Sequence, residues 1–217
     1  MMMESESIHI QISNLIQDNI VYSCGEDRRI VMVDIRNSSR PVSGLVFIID
    51  TKNGLAPVLN YAHHKGAVLT LAMQDNIVYS CEDRRIVMVD IRNSSKPVSG
   101  LWSMDYVRSV CFRNNHLVCG THLGTISVLD PLTLNICSRF QVSNGVRQVI
   151  HSGGAILEIS RDRTFKAFTV GVRSSVLAEL SFDCDPCRFD YRDGDLAIGA
   201  GDGSILLWTN NSSLYNG

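Results

Sequence analysis

Residues 64–92 read HKGAVLTLAMQDNIVYSCEDRRIVMVDIR. Three short runs stand out: AVLTLAM, NIVYSC and RIVMVDI. Each is rich in β-branched and other apolar residues, and they are separated by Gln74-Asp75 and by Glu82-Asp83-Arg84. Short apolar runs broken by turn-forming Asp and Asn predict consecutive strands joined by tight hairpins. The same grammar extends outward through LVFIID, YVRSVCF, HLVCG, TISVLD, AILEIS, FKAFTV, DLAIGA and SILLW. No stretch sustains a 3.6-residue apolar period between caps, so the chain reads as all-β.

The runs recur at a fixed interval. One strand type ends at Ile49-Asp50, Val89-Asp90, Leu129-Asp130, Phe168-Thr169 and Trp208-Thr209, in steps of 40, 40, 39 and 40 residues. Seven residues before each of these ends comes a turn, at Ser43, Asp83, Leu123, Asp162 and Asp202. An Asp in such a turn accepts hydrogen bonds from nearby backbone N–H groups and holds a hairpin. Asp83, Asp162 and Asp202 are therefore read as structural turn residues.

A hairpin of this kind every 40 residues resembles the WD40 repeat, whose period is about 40–45 residues. The resemblance covers roughly residues 45–210. Val89-Asp90, Leu129-Asp130 and Trp208-Thr209 stand where that family carries Trp-Asp, and His63-His64-Lys65-Gly66 stands loosely for its Gly-His. It implies a WD40-type β-propeller of about five four-stranded antiparallel blades, small beside a ring of about seven. It also implies a hydrogen-bonded set of His, Ser/Thr, Asp and Trp in each blade. His64, Ser80 and Asp83 represent that set in one blade, with Val89 in place of Trp. Stability is therefore expected to rest on apolar packing between blades.

One propeller domain over 1–217 is expected. Residues 7–14 offer a strand to close the ring, and 17–62 form an irregular first blade. Blades II to IV follow at 63–103, 104–143 and 144–182, and blade V at 183–210 lacks its outer strand. The irregularity comes from a copied segment. Residues 17–45 and 74–101 are the same text apart from Gly25, which the second copy lacks, and Arg40 in place of Lys96. Out of phase with the period, the copy supplies the first two strands of blade I but the middle two of blade II. A second parse makes 7–44 a full blade and 45–62 half of one.

Composition narrows the function classes. With 45% hydrophobic and 19% charged residues the chain can bury a sizeable core. A net charge of −2 shows no basic excess to attract nucleic acid or an anionic membrane. The start, MMMESES, has no apolar core of a signal peptide, and no apolar run is long enough to span a bilayer. The seven cysteines sit mostly inside strand-like runs, as thiols kept reduced in cytoplasm or nucleus do. Asn-x-Ser sequons at 37, 93 and 210 read as turns.

No catalytic residues, cofactor or metal site are expected. The sequence has no G-x-S-x-G, P-loop or H-E-x-x-H. Gly199-Ala-Gly201-Asp-Gly203 leads into a strand and reads as a turn. Cys184-Asp-Pro-Cys187 lacks the further ligands of a structural zinc site and reads as a loop. The candidate binding residues are Arg108, Arg147 and Arg188. They stand near the start of the innermost strand in three successive blades and would converge at one mouth of the channel. With Tyr106 they form a cationic site for a carboxylate-rich or phosphorylated peptide, which guanidinium groups bind through paired hydrogen bonds. Alternatively each arginine pairs locally with Asp105, Asp185 or Asp190, or faces solvent. Arg84, Arg85, Arg161 and Arg163 are read as solvated turn residues. Trp102, after blade II's outer strand with Tyr106, is read as core between blades II and III; exposed near such arginines, the two aromatics would instead suit peptide binding.

Within the WD40 class, the run 64–92 resembles the F-box/WD-repeat proteins. That resemblance implies a non-enzymatic protein-interaction module, the substrate-recognition propeller of a cullin-type ubiquitin ligase, with degrons bound by channel-mouth arginines. The chain departs from that family in carrying no helical F-box segment; cullin-RING components are expected as partners only with an F-box upstream. The alternatives are a general WD40 scaffold in another complex and a propeller hydrolase or lactonase. The hydrolase would need inward carboxylates and a His at the channel, where the strand starts offer Arg and Val.

Overall fold

The structure is a computed structural model. It describes the backbone of four strands between residues 20 and 60 and, with side chains, residues 64, 68–90, 92, 97–142, 144–171 and 174–209. The candidate closing strand 7–14 lies outside the described residues. Nineteen strands and no helix are present among the described residues, and the fold is all-β, of the WD40 β-propeller type. The chain divides into two compact units, Met1–Val107 and Arg108–Gly217.

In the first unit, β1 (Ile20–Cys24) pairs with β2 (Ile30–Asp34), and β3 (Phe47–Asp50) with β4 (Ala56–Asn60). A four-stranded sheet follows, in the order β5 (Val68–Gln74), β6 (Ile77–Glu82), β7 (Arg85–Asp90), β8 (Ser99–Trp102). The copied text forms the same hairpin twice: Ile20 pairs with Asp34 as Ile77 pairs with Asp90. In the first copy this hairpin forms a two-stranded sheet among the described residues; in the second it is the middle of a four-stranded sheet.

The second unit holds two four-stranded sheets and one of three strands. The first has β9 (Val107–Arg113), β10 (His116–Thr121), β11 (Thr125–Leu129) and β12 (Ile136–Gln141). The next has β13 (Val146–Ser152), β14 (Ala155–Ser160), β15 (Thr164–Thr169) and β16 (Val176–Ser181). The last has β17 (Pro186–Arg192), β18 (Asp195–Ala200) and β19 (Ile205–Trp208).

Turn chemistry explains the meander. The first hairpin of each of these sheets turns through two residues, and Asn114-Asn115, Gly153-Gly154 and Asp193-Gly194 all take positive φ. A two-residue hairpin whose twist matches its strands requires that geometry, which Asn, Asp and Gly adopt most readily. Burial then falls from the middle of each sheet outward. β10 and β14 are buried over five consecutive residues, whereas every residue of β16 is exposed. Strands covered on both faces read as continuous apolar runs.

The core of the second unit lies between neighbouring sheets. Val118, Ile126 and Val128 meet Val146, Val149, Ile156 and Phe168. Leu157, Ile159 and Phe165 meet Phe189, Leu196 and Ile198. Phe165 and Phe189 meet edge to face at 5.4 Å, a favoured aromatic geometry. The fit is tight enough that a Cβ on Gly120 would sit 2.4 Å from a Val146 methyl.

Candidate functional site

The first strands of the three sheets in the second unit are laced together by side chains. Ser109 Oγ accepts from Val149 N at 3.1 Å. Gln148 closes a two-bond clasp on Phe189: its Nε2 donates to the carbonyl at 2.9 Å, and its Oε1 accepts from the amide at 2.8 Å. At the far end Arg113 donates to Tyr191 O at 3.2 Å. These bonds hold β9, β13 and β17 side by side and place Arg108, Arg147 and Arg188 near their beginnings.

The three arginines have different roles. Arg147 Nη2 donates to both carboxylate oxygens of Asp185, at 2.7 and 2.9 Å. Arg188 Nη1 donates to the carbonyls of Arg147, at 3.1 Å, and Cys187, at 3.2 Å. Arg108 is exposed, and no hydrogen bond or ion pair ties its guanidinium to another described residue. Local pairing with Asp185 thus occurs at Arg147. Asp190 lies 3.8 Å from Arg113, and the buried Asp105 accepts from Tyr106 N at 2.6 Å. Tyr106 belongs to the first unit, where Arg84 stacks over its ring at 4.9 Å.

The turn residues form a second set. Asp162 accepts from Thr164 Oγ1 at 2.6 Å and Asn144 Nδ2 at 2.9 Å, and Asp202 from Ser204 N at 2.9 Å and Oγ at 2.7 Å. Burial pushes the Asp162 carboxyl upward, but the bonds from Thr164 and Asn144 outweigh it, leaving the group below its ordinary value. The bonds from Ser204 hold Asp202 low as well. In blade III, Thr121 Oγ1 accepts from Thr125 N at 3.0 Å, so a hydroxyl does the work of the missing Asp.

Blade II is built differently. His64 Nε2 lies 2.6 Å from Ser80 Oγ, and Nδ1 lies 2.7 Å from Glu82 Oε2. The carboxylate facing His64 is therefore Glu82, while Asp83 is exposed in the turn at φ 42°. The cause is a missing residue. The corresponding turns in blades IV and V span three residues, with positive φ at Arg163 and Gly203, whereas Glu82 pairs directly with Arg85 across only Asp83-Arg84. Glu, His and Ser stand in the order of a hydrolytic triad, but Ser80 is buried. A nucleophile must reach its substrate, so the arrangement ties the loop before β5 to β6.

Two expectations are corrected. Trp102 is not core: it is 72% exposed, on the outer strand β8. The turn arginines are not simply solvated. Arg85 lies over the Trp102 ring at 5.7 Å, and Arg163 donates to Asp183 O at 3.2 Å. Sequence reasoning did not find the buried Glu158, whose Oε1 accepts from Ser160 Oγ at 2.5 Å and whose Oε2 has no hydrogen-bond partner. A charged residue inside the apolar run AILEIS was the available signal.

Comparison with known proteins bears on the fold. No protein-family model matches the chain. It is 35% identical over 171 residues to the F-box/WD repeat-containing protein mec-15 of Caenorhabditis elegans, covering 75% of this chain and 42% of that one. The chain thus spans less than half the length of that relative. Among solved structures, one from the mitotic checkpoint complex superposes with a TM-score of 0.77 at 13% identity, over 94% of this chain and 76% of the other. The computationally designed Ika8 protein gives 0.67 at 20% identity, over 92% and 57%. These structures share the fold. The likeness to a WD-repeat protein suggests a protein-interaction module.

Proposed function

We propose that the chain is a non-enzymatic recognition module that binds an acidic or phosphorylated segment of a protein partner. In this reading it acts as the substrate-recognition propeller of an F-box/WD ubiquitin ligase subunit, in cytoplasm or nucleus. The observation that carries it is Arg108. Its guanidinium is exposed and uncommitted among the described residues, on a strand laced to those of Arg147 and Arg188. Such a group offers paired donors to a carboxylate or phosphate. The sequence likeness to an F-box/WD repeat protein supports the ligase context.

The test is retention of the chain on immobilised phosphopeptides. Arg108→Ala is expected to abolish retention of peptides that the wild type binds. The Arg108/Arg147/Arg188→Ala triple variant adds loss of the Asp185 ion pair and is checked for folding by its melting curve. Equal retention of wild type and Arg108→Ala would sink the reading.

A further inference from the structure

The outer edge of blade II carries an apolar and cationic surface that the Arg108 reading does not use. Trp102 is 72% exposed, Met104 88% and Tyr106 41%, while Asp105 between them is buried. Alternation of this kind sends every second side chain of an extended segment outward. The segment is stitched to the neighbouring turn at both ends: Ser103 N donates to Arg84 O at 2.6 Å, and Val107 N to Asp83 O at 2.7 Å. Inside the loop, Asp105 Oδ1 accepts from Tyr106 N. The protruding residues therefore sit on a braced support rather than a loose loop.

Two cations flank them, with Arg85 over the Trp102 ring and Arg84 over the Tyr106 ring. Neither guanidinium makes a hydrogen bond to another described residue, so its N–H groups can donate to a ligand. No carboxylate among the described residues forms an ion pair with either arginine. Glu82 is committed to His64, and Asp105 is buried and turned to the backbone. Of the charges that reach solvent here, Arg84 and Arg85 outnumber Asp83 by one, while the Asp105 carboxylate is buried.

We propose that Trp102, Met104, Tyr106, Arg84 and Arg85 form a docking surface for an acidic segment of a partner protein that also carries an apolar side chain. Exposed Trp, Tyr and Arg on a preorganised support are the residues that dominate protein interfaces. The arginines supply charge complementarity to carboxylates, and Met104 at the apex supplies an adaptable apolar contact. Aromatic rings beside arginines also suit single-stranded RNA. The chain's net charge of −2 favours the protein partner. The first copy repeats the arginines as Arg28 and Arg29, but just past its end the chain has Val46, Ile48 and Asp50 where Trp102, Met104 and Tyr106 stand here, so the aromatic half of the surface is not duplicated.

The test is fluorescence anisotropy on the full chain at low salt. The probe is a short labelled peptide with a leucine between glutamate pairs, compared with its glutamine counterpart and a uridine-rich RNA. The glutamate peptide is expected to bind. Arg84→Gln/Arg85→Gln should weaken it about tenfold or more, the effect of losing a charge-assisted hydrogen bond. Met104→Glu should do the same by repulsion, and Arg92→Gln, a charge change elsewhere in the unit, should not. Several results overturn the proposal: no binding of the glutamate peptide, equal binding of both peptides, an unaffected double variant, tighter binding of the RNA, or loss confined to Arg108→Ala. Melting curves of the variants confirm that each is folded.

Discussion

Strands β6 and β14 are second strands of their sheets, and they carry the same two buried polar residues in opposite order. Counted from the start of each strand, Ser80 corresponds to Glu158 and Glu82 to Ser160. In β6 a histidine from before β5, His64, sits between the two and bonds to both. In β14 no such histidine is present among the described residues, and Ser160 bonds to Glu158 directly. The consequence is electrostatic. A buried carboxylate beside an imidazole has a partner for its charge. For Glu158 the nearest cation, Lys166, pairs with Glu179, and burial above all pushes its carboxyl up to about 8, with the Ser160 bond and Lys166 opposing and Asp162 adding to the rise. The same residue pair thus makes a His-bridged latch in one sheet and a carboxyl held well above its ordinary value in the other.

The largest effect is expected from breaking the latch. His64→Ala removes the base beside a buried carboxylate and should cost about 3 kcal/mol in urea unfolding. A glycine inserted after Cys81 restores the text of the first copy, Cys24-Gly25-Glu26, and should cost a similar amount by moving Glu82 off its register. If the insertion is neutral, the short turn is not what places Glu82.

Next comes the acid in β14. A carboxyl held above its ordinary value in the folded state takes up protons more readily there than in the unfolded chain. Its penalty is absent below about pH 4.5, grows as pH rises toward 8, and is then constant. The melting temperature of the wild type should therefore fall over that window. Glu158→Gln should flatten the fall and stabilise the protein by up to a few kcal/mol above pH 8. A wild-type profile that is already flat would show that Glu158 holds no proton.

Asp162 has the opposite sign. Its carboxyl lies below its ordinary value, so its contribution is present above about pH 4 and lost as pH falls further. Asp162→Ala should cost about 1 kcal/mol at neutral pH, the worth of a typical hydrogen bond, measured by denaturant midpoint. The smallest effect is expected at Asp202, which makes similar bonds to Ser204 in full solvent. Asp202→Ala should shift the melting curve less than Asp162→Ala, and a larger shift would overturn the ranking by burial.

The fold was legible because one signal repeats. Asp83, Asp162 and Asp202 mark three of the five periodic turns, and Asn114-Asn115 or Asp193-Gly194 specify hairpins from local geometry alone. Parts of the candidate site were legible for the same reason: His64 and Ser80 do meet, and Arg147 does find Asp185. The identity of the third partner in blade II was not, since counting from β7 selects Asp83 while the two-residue turn brings Glu82 to the histidine. Exposure on an outer strand was not legible either. Whether Trp102 is core depends on what covers β8, and an alternating pattern looks the same under either outcome.

Evolution has little room at Gly120. A single added carbon there meets Val146 and Val149 at 2.4 to 3.1 Å, so the separation between two sheets is set by the absence of one methyl group. Substitution would have to be matched by smaller residues on β13, which means two coordinated changes rather than one. The position acts as a ratchet. The sheets β9–β12 and β13–β16 can each accept changes in their turns and outer strands, yet at this contact a change on one side requires a matching change on the other.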